Sequence, residues 1–377
     1  MACIAVIATR YPDDVRVYKE VRILKKTHDV HIFLTDTRKT SPLKEIHEGV
    51  TLYRFPYRKS YSFLKYCASL YRYLKITKSA LQVSPSVCHV HNFPLLPAGI
   101  ITKMCTRCKL VYDAHEDYAS MRYRRNRIKI FIMRKIEIAL TRLFADCIIT
   151  VNESLARYFY HSRVETVIVM NVPLLDIGKK SGSVDLPLLQ GDYVIGLIGN
   201  IIWSKGFETL IPLCEELKKA GNNPTFLIVG GGPFRDQFQQ IIKEHTMESN
   251  FVLTGHVPHE KIPLYLEKID IGLALQRPTH YNNIIATPTK LFEYMAHGIP
   301  VIASDLPEIR KIIQQTGCGI LVNPERVKEI TEAIFYLLNN PKIASKMGKK
   351  GKKAFKTQYN WEIENQVLVR TYIRLLQ

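Results

Sequence analysis

Three stretches in the second half of the chain combine glycine, lysine and helix starts in a way that suits phosphate. The first is Gly199-Asn200-Ile201-Ile202-Trp203-Ser204-Lys205-Gly206, which follows an apolar run and sets Lys205 at the carboxyl end of a strand. An ammonium there can meet a phosphate. The second, Gly230-Gly231-Gly232-Pro233, also stands between an apolar run and a helical pattern. Its glycines permit close backbone approach, and the helix start beyond it favours negative charge. Neither matches G-x-G-x-x-G, because Arg235 stands three places after Gly232. Taken singly, each also fits an ordinary tight turn. The third runs from Thr287 to Asp305. Pro288 near a helix start, with Thr287 or Thr289 as cap, marks an N-terminus, and Gly298 ends the helix. Lys290 and Glu293 share one face of it. Two readings stand: an ordinary ion pair three residues apart, or a helix dipole aimed at a diphosphate with Glu293 accepting hydrogen bonds from a ribose.

The first half offers fewer such groups. His115 ends a strand in Asp113-Ala114-His115-Glu116-Asp117, and its functional role would be a hydrogen bond to a donor sugar or leaving phosphate; the plainer alternative is a structural histidine. His89 and His91 alternate on one strand and so share a face. Either packs in a core or, for His91, faces an acceptor. Arg16, beside Asp13 and Asp14, is a second acceptor-side candidate. The first turn, residues 8–14, contains no glycine, which argues against a pyrophosphate there. Eight cysteines include one C-x-x-C, Cys105 and Cys108, without the second pair that zinc needs. No D-x-D sits at a nucleotide turn. A lysine and a helix dipole on the phosphates make a divalent ion unnecessary, so no metal and no cofactor is expected.

The elements that must position these residues alternate throughout. Strands are expected at 3–9, 30–36, 50–56, 87–92, 110–115, 147–152 and 166–171, then at 193–200, 225–230, 251–254, 270–275, 300–304 and 319–323. Many are continuous apolar runs, as in strands buried on both faces of a parallel sheet. Helical stretches such as 207–220 and 234–245 lie between them. Residues 172–191 are rich in proline, glycine and serine and read as a linker. The expectation is an α/β chain of two doubly wound, Rossmann-like parallel-sheet domains facing an interdomain cleft. The domains would be 1–171 and 192–358, with a final helix in 359–377 crossing back to the first. Ligands on such sheets bind beyond the carboxyl ends of the strands.

Charge divides the chain. Of 377 residues, 53 are Lys or Arg and 34 Asp or Glu, a net +19. Residues 1–190 carry +15 of this and the rest only +4. Between Glu48 and Asp113 there is no acid and ten Lys or Arg. Tyr and Phe are interleaved with this charge from Tyr53 to Lys75 and again from Met121 to Ile132. Aromatics with cations suit an anionic membrane surface or a lipid-phosphate acceptor. They also suit single-stranded nucleic acid or a merely solvated face; no nucleic-acid signature is present, and that partner is not expected. No apolar run reaches the roughly 18 residues of a membrane span. The apolar start reads as a first strand rather than a signal peptide. The expected location is the cytoplasm, peripherally on the inner face of the cell membrane.

In order and spacing, the motifs Lys205-Gly206, Gly230-Gly231-Gly232-Pro233, Thr254-Gly255-His256-Val257 and Pro288 through Asp305 resemble those of retaining, GT-B-fold glycosyltransferases. The likeness is to family 4, which builds bacterial surface polysaccharides. Tyr112-Asp113-Ala114-His115-Glu116, Val169-Met170-Asn171-Val172-Pro173 and Tyr359-Asn360-Trp361-Glu362 look like further landmarks, so the likeness covers nearly the whole chain. It implies transfer of a sugar from a nucleoside-diphosphate donor to a carbohydrate or lipid-linked acceptor, with retention, the leaving phosphate helping to deprotonate the acceptor. By the same resemblance Lys205 contacts the donor diphosphate, Gly230–Gly232 lie near the nucleotide, His256 and Val257 contact the base, and Glu293 holds the ribose as the second acid of E-x7-E.

Two positions depart from the pattern. The first glutamate of E-x7-E is replaced by Ile285, leaving the backbone amides of Ala286, Thr287 and Thr289 for the donor sugar. Asn200 stands where many members carry arginine, and Lys290 restores positive charge there. The departures keep two other readings open: a degenerate GT-B scaffold that binds membranes or polyanions, and a GT-B nucleotide-sugar epimerase.

Overall fold

The computed structural model describes residues 1–35, 43–55, 64–123, 126–174, 184 and 189–377. The basic residues Arg58, Lys59, Arg124 and Arg125, the aromatic Tyr57, Tyr61 and Phe63, and much of the 172–191 segment lie outside them. The chain divides into two compact units: residues 1–171 with 364–377, and residues 172–363.

The first unit is built on β1 (Cys3–Ala8), β2 (Asp29–Leu34), β3 (Lys44–His47), β4 (Val50–Arg54), β5 (Val87–His91), β6 (Lys109–Ala114), β7 (Cys147–Thr150) and β8 (Thr166–Ile168). Their order is β3-β4-β2-β1-β5-β6-β7-β8. The described pairings are parallel except that of β3 with β4. The antiparallel edge strand β3, which the apolar pattern did not mark, adds to the expected parallel sheet. Ile4 through Ala8 are wholly buried, which is why these strands read as unbroken apolar runs. The order reverses between β1 and β5, so the turns after those two strands face a crevice at their carboxyl ends. Arg16 lies after β1 and His91 ends β5.

The second unit holds β9 (Tyr193–Ile198), β10 (Pro224–Val229), β11 (Phe251–Leu253), β12 (Ile271–Ala274), β13 (Val301–Ser304) and β14 (Gly319–Val322). They pair in parallel in the order β11-β10-β9-β12-β13-β14. Here the order reverses between β9 and β12. The turn carrying Lys205 follows β9, and the helix carrying Lys290 follows β12, so both belong to the switch crevice. The core beneath is apolar and aromatic, with Phe207, Phe226 and Phe238 fully buried.

The helix Trp361–Leu376 begins in the second unit and from Glu364 belongs to the first. Its amino end is held by Trp361 N–H donating to Pro173 O at 2.9 Å. Further along, Glu364 accepts from Met170 N–H at 2.8 Å, and Tyr372 OH lies 2.8 Å from Nδ1 of His89 on β5. Among the described residues no helix is long and apolar enough to cross a membrane. Cys105 is exposed and Cys108 buried, both as free thiols.

Candidate active site

Three turns of the second unit are stitched together by their backbones. Gly199 N–H donates to Val229 O at 2.9 Å and Ile201 N–H to Gly231 O at 2.8 Å. Gly230 N–H reaches Thr254 Oγ1 at 3.3 Å, and Gly230 forms a bridge with Gly255. The approach is too close for side chains. A Cβ on Gly230, at φ +143°, would lie 2.3 Å from Gly199 O. One on Gly232, at φ +151°, would lie 2.5 Å from Ile201 O. Glycine here is therefore required by packing between turns, whatever ligand they serve. His256 and Asn200 are exposed on these turns, and Val257 is half-buried.

The helix Thr289–His297 supplies the other wall. Its cap position is Pro288, which makes no side-chain cap bond, so the expected threonine cap is absent. Pro288 leaves the first amides of this helix without a side-chain acceptor, and they point out at its positive end. Thr287 Oγ1 is buried without a hydrogen-bond partner. Ala286 is half-buried, Thr289 exposed, and Ile285 buried.

Tyr294 sets the position of this helix. Its hydroxyl donates to Gly196 O at 2.9 Å and accepts from Ile198 N–H at 3.2 Å, both on β9. Lys290, one turn earlier on the same face, is thereby carried beneath the Gly199 turn: a Cβ on Gly199 would lie 4.0 Å from Lys290 Cε. Neither Lys290 nor Lys205 makes an ion pair within 4 Å among the described residues. Burial and the neighbouring Lys205 charge pull the Lys290 ammonium down to about 7, against a partial opposing effect of Glu293. Burial alone lowers Lys205. Lys290 is buried and Lys205 half-buried, so both ammoniums are held partly out of water at this end of the sheet. Glu293 is 5% exposed, with one carboxylate oxygen 4.0 Å from His259 Nε2. The structure thus brings Gly199, Gly230–Gly232, Lys205, Lys290 and Glu293 to one end of the second sheet. A cavity of about 780 Å³ lies at the opposite, amino-terminal end of these strands, lined by residues such as Tyr193, Asp270, His297 and Lys352 that the motifs did not single out.

In the first unit the switch crevice is filled by charge. Arg16 is 2% exposed and donates to both oxygens of Asp113, at 2.8 and 2.9 Å, and to Val169 O at 2.8 Å. Its Nε is also 3.1 Å from Glu20. His91 is 2% exposed, with Nδ1 3.2 Å from Asp113. Neither residue presents itself to an acceptor, which corrects the expectation for both: a carboxylate 97 positions away in sequence claims the arginine. His115 keeps 18% of its side chain exposed. Its Nδ1 lies 3.3 Å from the Asn92 amide nitrogen, and its Nε2 lies 3.2 Å from Asp113 and 3.1 Å from His91 Nδ1. Asn92 itself holds φ +68° with ψ +149°, a strained conformation outside the left-handed helical well, at the end of β5. Burial pushes Glu20 well above the usual carboxylate range, while Arg16 holds Asp113 well below it. Glu20, His89, His91 and Asp113 place ligand atoms within 4.8 Å of one another, but the guanidinium of Arg16 already acts as their cation.

Residues 183–354 match the family described as Glycosyl transferases group 1, and residues 15–169 match Glycosyltransferase Family 4. Together the two matches cover most of the chain and support a family 4-like GT-B glycosyltransferase. Among curated relatives it is 29% identical to an alpha-D-kanosaminyltransferase of Streptomyces kanamyceticus over 41% of this chain and 38% of that one. It is 25% identical to the putative teichuronic acid biosynthesis glycosyltransferase TuaH of Bacillus subtilis, covering 71% and 70%. The chain thus spans about four tenths of the first of these relatives. Among solved structures, Anabaena Alr3699/HepE in complex with UDP-glucose superposes with a TM-score of 0.76 at 14% identity, covering 99% of this chain and 100% of that chain. The likeness is one of fold.

Proposed function

We propose that this glycosyltransferase moves a sugar, with retention, from a nucleoside-diphosphate sugar to a carbohydrate or lipid-linked acceptor. The observation that carries this is the pair of cations Lys290, buried, and Lys205, half-buried, neither in an ion pair among the described residues, at the glycine turns of the second unit. The name of the HepE complex, with UDP-glucose, and that of TuaH, in teichuronic acid biosynthesis, point the same way for donor and product class.

In this reading the diphosphate takes the place between the two ammoniums and the open amides of the helix Thr289–His297. Glu293 accepts from the ribose hydroxyls, and the backbone beside His256 and Val257 meets the base. The bond between the anomeric carbon and the diphosphate oxygen breaks as the acceptor oxygen bonds to that carbon. The electron pair stays on the leaving diphosphate, which receives the acceptor's proton. Lysines and amides fixed in a dry site stabilise that developing charge. His115 is the candidate in the first unit for a hydrogen bond to the sugar or leaving phosphate. The backbone amides of Ala286, Thr287 and Thr289 take over the sugar contacts that Ile285 cannot make. The lysine charges serve where a divalent ion otherwise would, so the transfer needs no metal. The acceptor side works at the inner face of the cell membrane.

Calorimetric titration with nucleoside diphosphates and their sugars tests the donor site. Absence of binding by all of them overturns the reading, and tight binding with no turnover favours a scaffold. Transfer in the presence of EDTA, with NMR of the product's anomeric proton, tests metal and stereochemistry together.

A further inference from the structure

The helix Arg127–Phe144 carries a face that the first unit leaves bare. Ile128 is 72% exposed, Phe131 62%, Ile132 49% and Leu143 72%, at the spacing of one helical stripe. Buried helices of a globular domain turn such residues inward; here the stripe points out. The cations Arg127, Lys129, Lys135 and Arg142 are also exposed. The helix has one acid, Glu137, and it is 1% exposed, bound by Tyr112 OH at 2.6 Å and Tyr158 OH at 2.8 Å. The outward face is therefore apolar and cationic with no acidic group.

A second helix repeats the composition. Leu64–Val83 contains no acid and exposes Leu70, Tyr71 and Leu74 beside Lys75 and Lys78. It connects β4 to β5, as Arg127–Phe144 connects β6 to β7. Both crossovers step in the same direction across the sheet, so right-handed connections put both helices on one of its faces. The helix Val15–Leu24 connects β1 to β2 in the opposite direction and lies on the other face.

We propose that this face docks on an anionic lipid bilayer, with Ile128, Phe131 and Ile132 entering the headgroup boundary and the flanking cations on lipid phosphate. The inference rests on the membrane-surface location proposed above and assigns it to one element; it does not depend on the transferase reading. Charge complementarity selects the occupant. A second copy of the same face would set like charges against each other. Single-stranded nucleic acid stacks on aromatic rings, and three of the four most exposed apolar side chains here are aliphatic. An interfacial helix uses both halves of this surface. Cations alone would be screened away by salt, whereas inserted side chains leave a residual that is not.

Flotation of the full chain with phosphatidylglycerol-containing and pure phosphatidylcholine vesicles, at low salt and at about 0.5 M salt, decides the matter. The expected result is much stronger binding to the anionic vesicles at low salt, falling at high salt to a weak residual that the inserted side chains sustain. In the triple variant Ile128→Ser, Phe131→Ser, Ile132→Ser that residual should fall about ten-fold or more. In Lys129→Ser with Lys135→Ser the low-salt binding should fall while the melting temperature is kept. A Phe131→Trp variant should shift its emission to the blue on anionic vesicles. Nucleoside-diphosphate binding, measured on the same variants, should stay unchanged. That readout separates failure of the membrane face from failure of the donor site. No flotation, equal flotation on both vesicle types, binding untouched by the triple variant, or tighter binding to a single-stranded RNA than to anionic vesicles each overturns the proposal.

Discussion

Lys290 stands one helical turn before Tyr294, whose hydroxyl donates to the Gly196 carbonyl at 2.9 Å. A bond in the middle of the sheet therefore fixes a cation at its edge. Because Lys290 is held at about 7, well below the ordinary lysine range, the unfolded chain binds more protons than the folded one from there up to about 10.5. The unliganded protein should gain stability with pH across that window. A bound diphosphate restores the proton, so its affinity should fall as pH rises above 7. Lys290→Arg, which stays charged, should flatten that slope. Titrations in buffers of different ionisation enthalpy should show proton uptake at pH 8 in the parent and none in the variant.

Removing the ammonium at Lys205 should weaken nucleoside-diphosphate binding by about 1.5–3 kcal/mol, the range for hydrogen bonds to charged groups. Calorimetry of Lys205→Ala checks this; an unchanged affinity removes the residue from the site.

Gly230→Ala would drive a methyl into the Gly199 carbonyl. The turns must spread, at about 1–3 kcal/mol. Urea unfolding should show the loss, and nucleotide affinity should fall with it because the two turns share one geometry.

Asp113 and Glu20 should respond in opposite ways. Asp113→Asn leaves the buried Arg16 without its counter-charge and should cost about 3–5 kcal/mol. Burial pushes Glu20 well above the usual carboxylate range, towards its neutral form. Glu20→Gln should therefore be close to neutral. Paired urea melts at pH 7 distinguish the two.

Glu137 is pushed up to about 7 by burial, against the lowering effect of its tyrosine partners. Its folded form binds more protons than the unfolded chain between about 4.5 and 7, so its contribution to stability falls as pH rises through that window. Glu137→Gln should remove this fall, measured as the melting temperature at pH 5 and pH 7.5.

Strands buried on both faces were legible because nothing interrupts their apolar runs; β1 and β9 end within two residues of expectation. β3 was not, since Lys44-Glu45-Ile46-His47 has one apolar residue and owes its strand state to pairing with Leu52 and Thr51. The glycine turns were legible as turns, but their reason, carbonyls within reach of any Cβ, exists only once β9 and β10 lie side by side. Lys290 was visible in a motif, whereas Tyr294, which places it, looks like any core aromatic. The Arg16–Asp113 pair joins residues 97 positions apart, and no local pattern marks it.

The second unit is one uninterrupted stretch of chain, residues 172–363, while the first unit needs residues 364–377 as well. During synthesis the unit that is begun first must therefore be completed last. Until Tyr372 emerges, His89 on β5 has no hydroxyl at its Nδ1 and that part of the first sheet waits uncovered. A nascent chain halted after residue 363 should already hold a folded second unit and an unfinished first one. For the same reason, a fragment meant to isolate the amino-terminal half cannot simply stop at Asn171; it must have the last helix supplied in trans or rejoined by circular permutation.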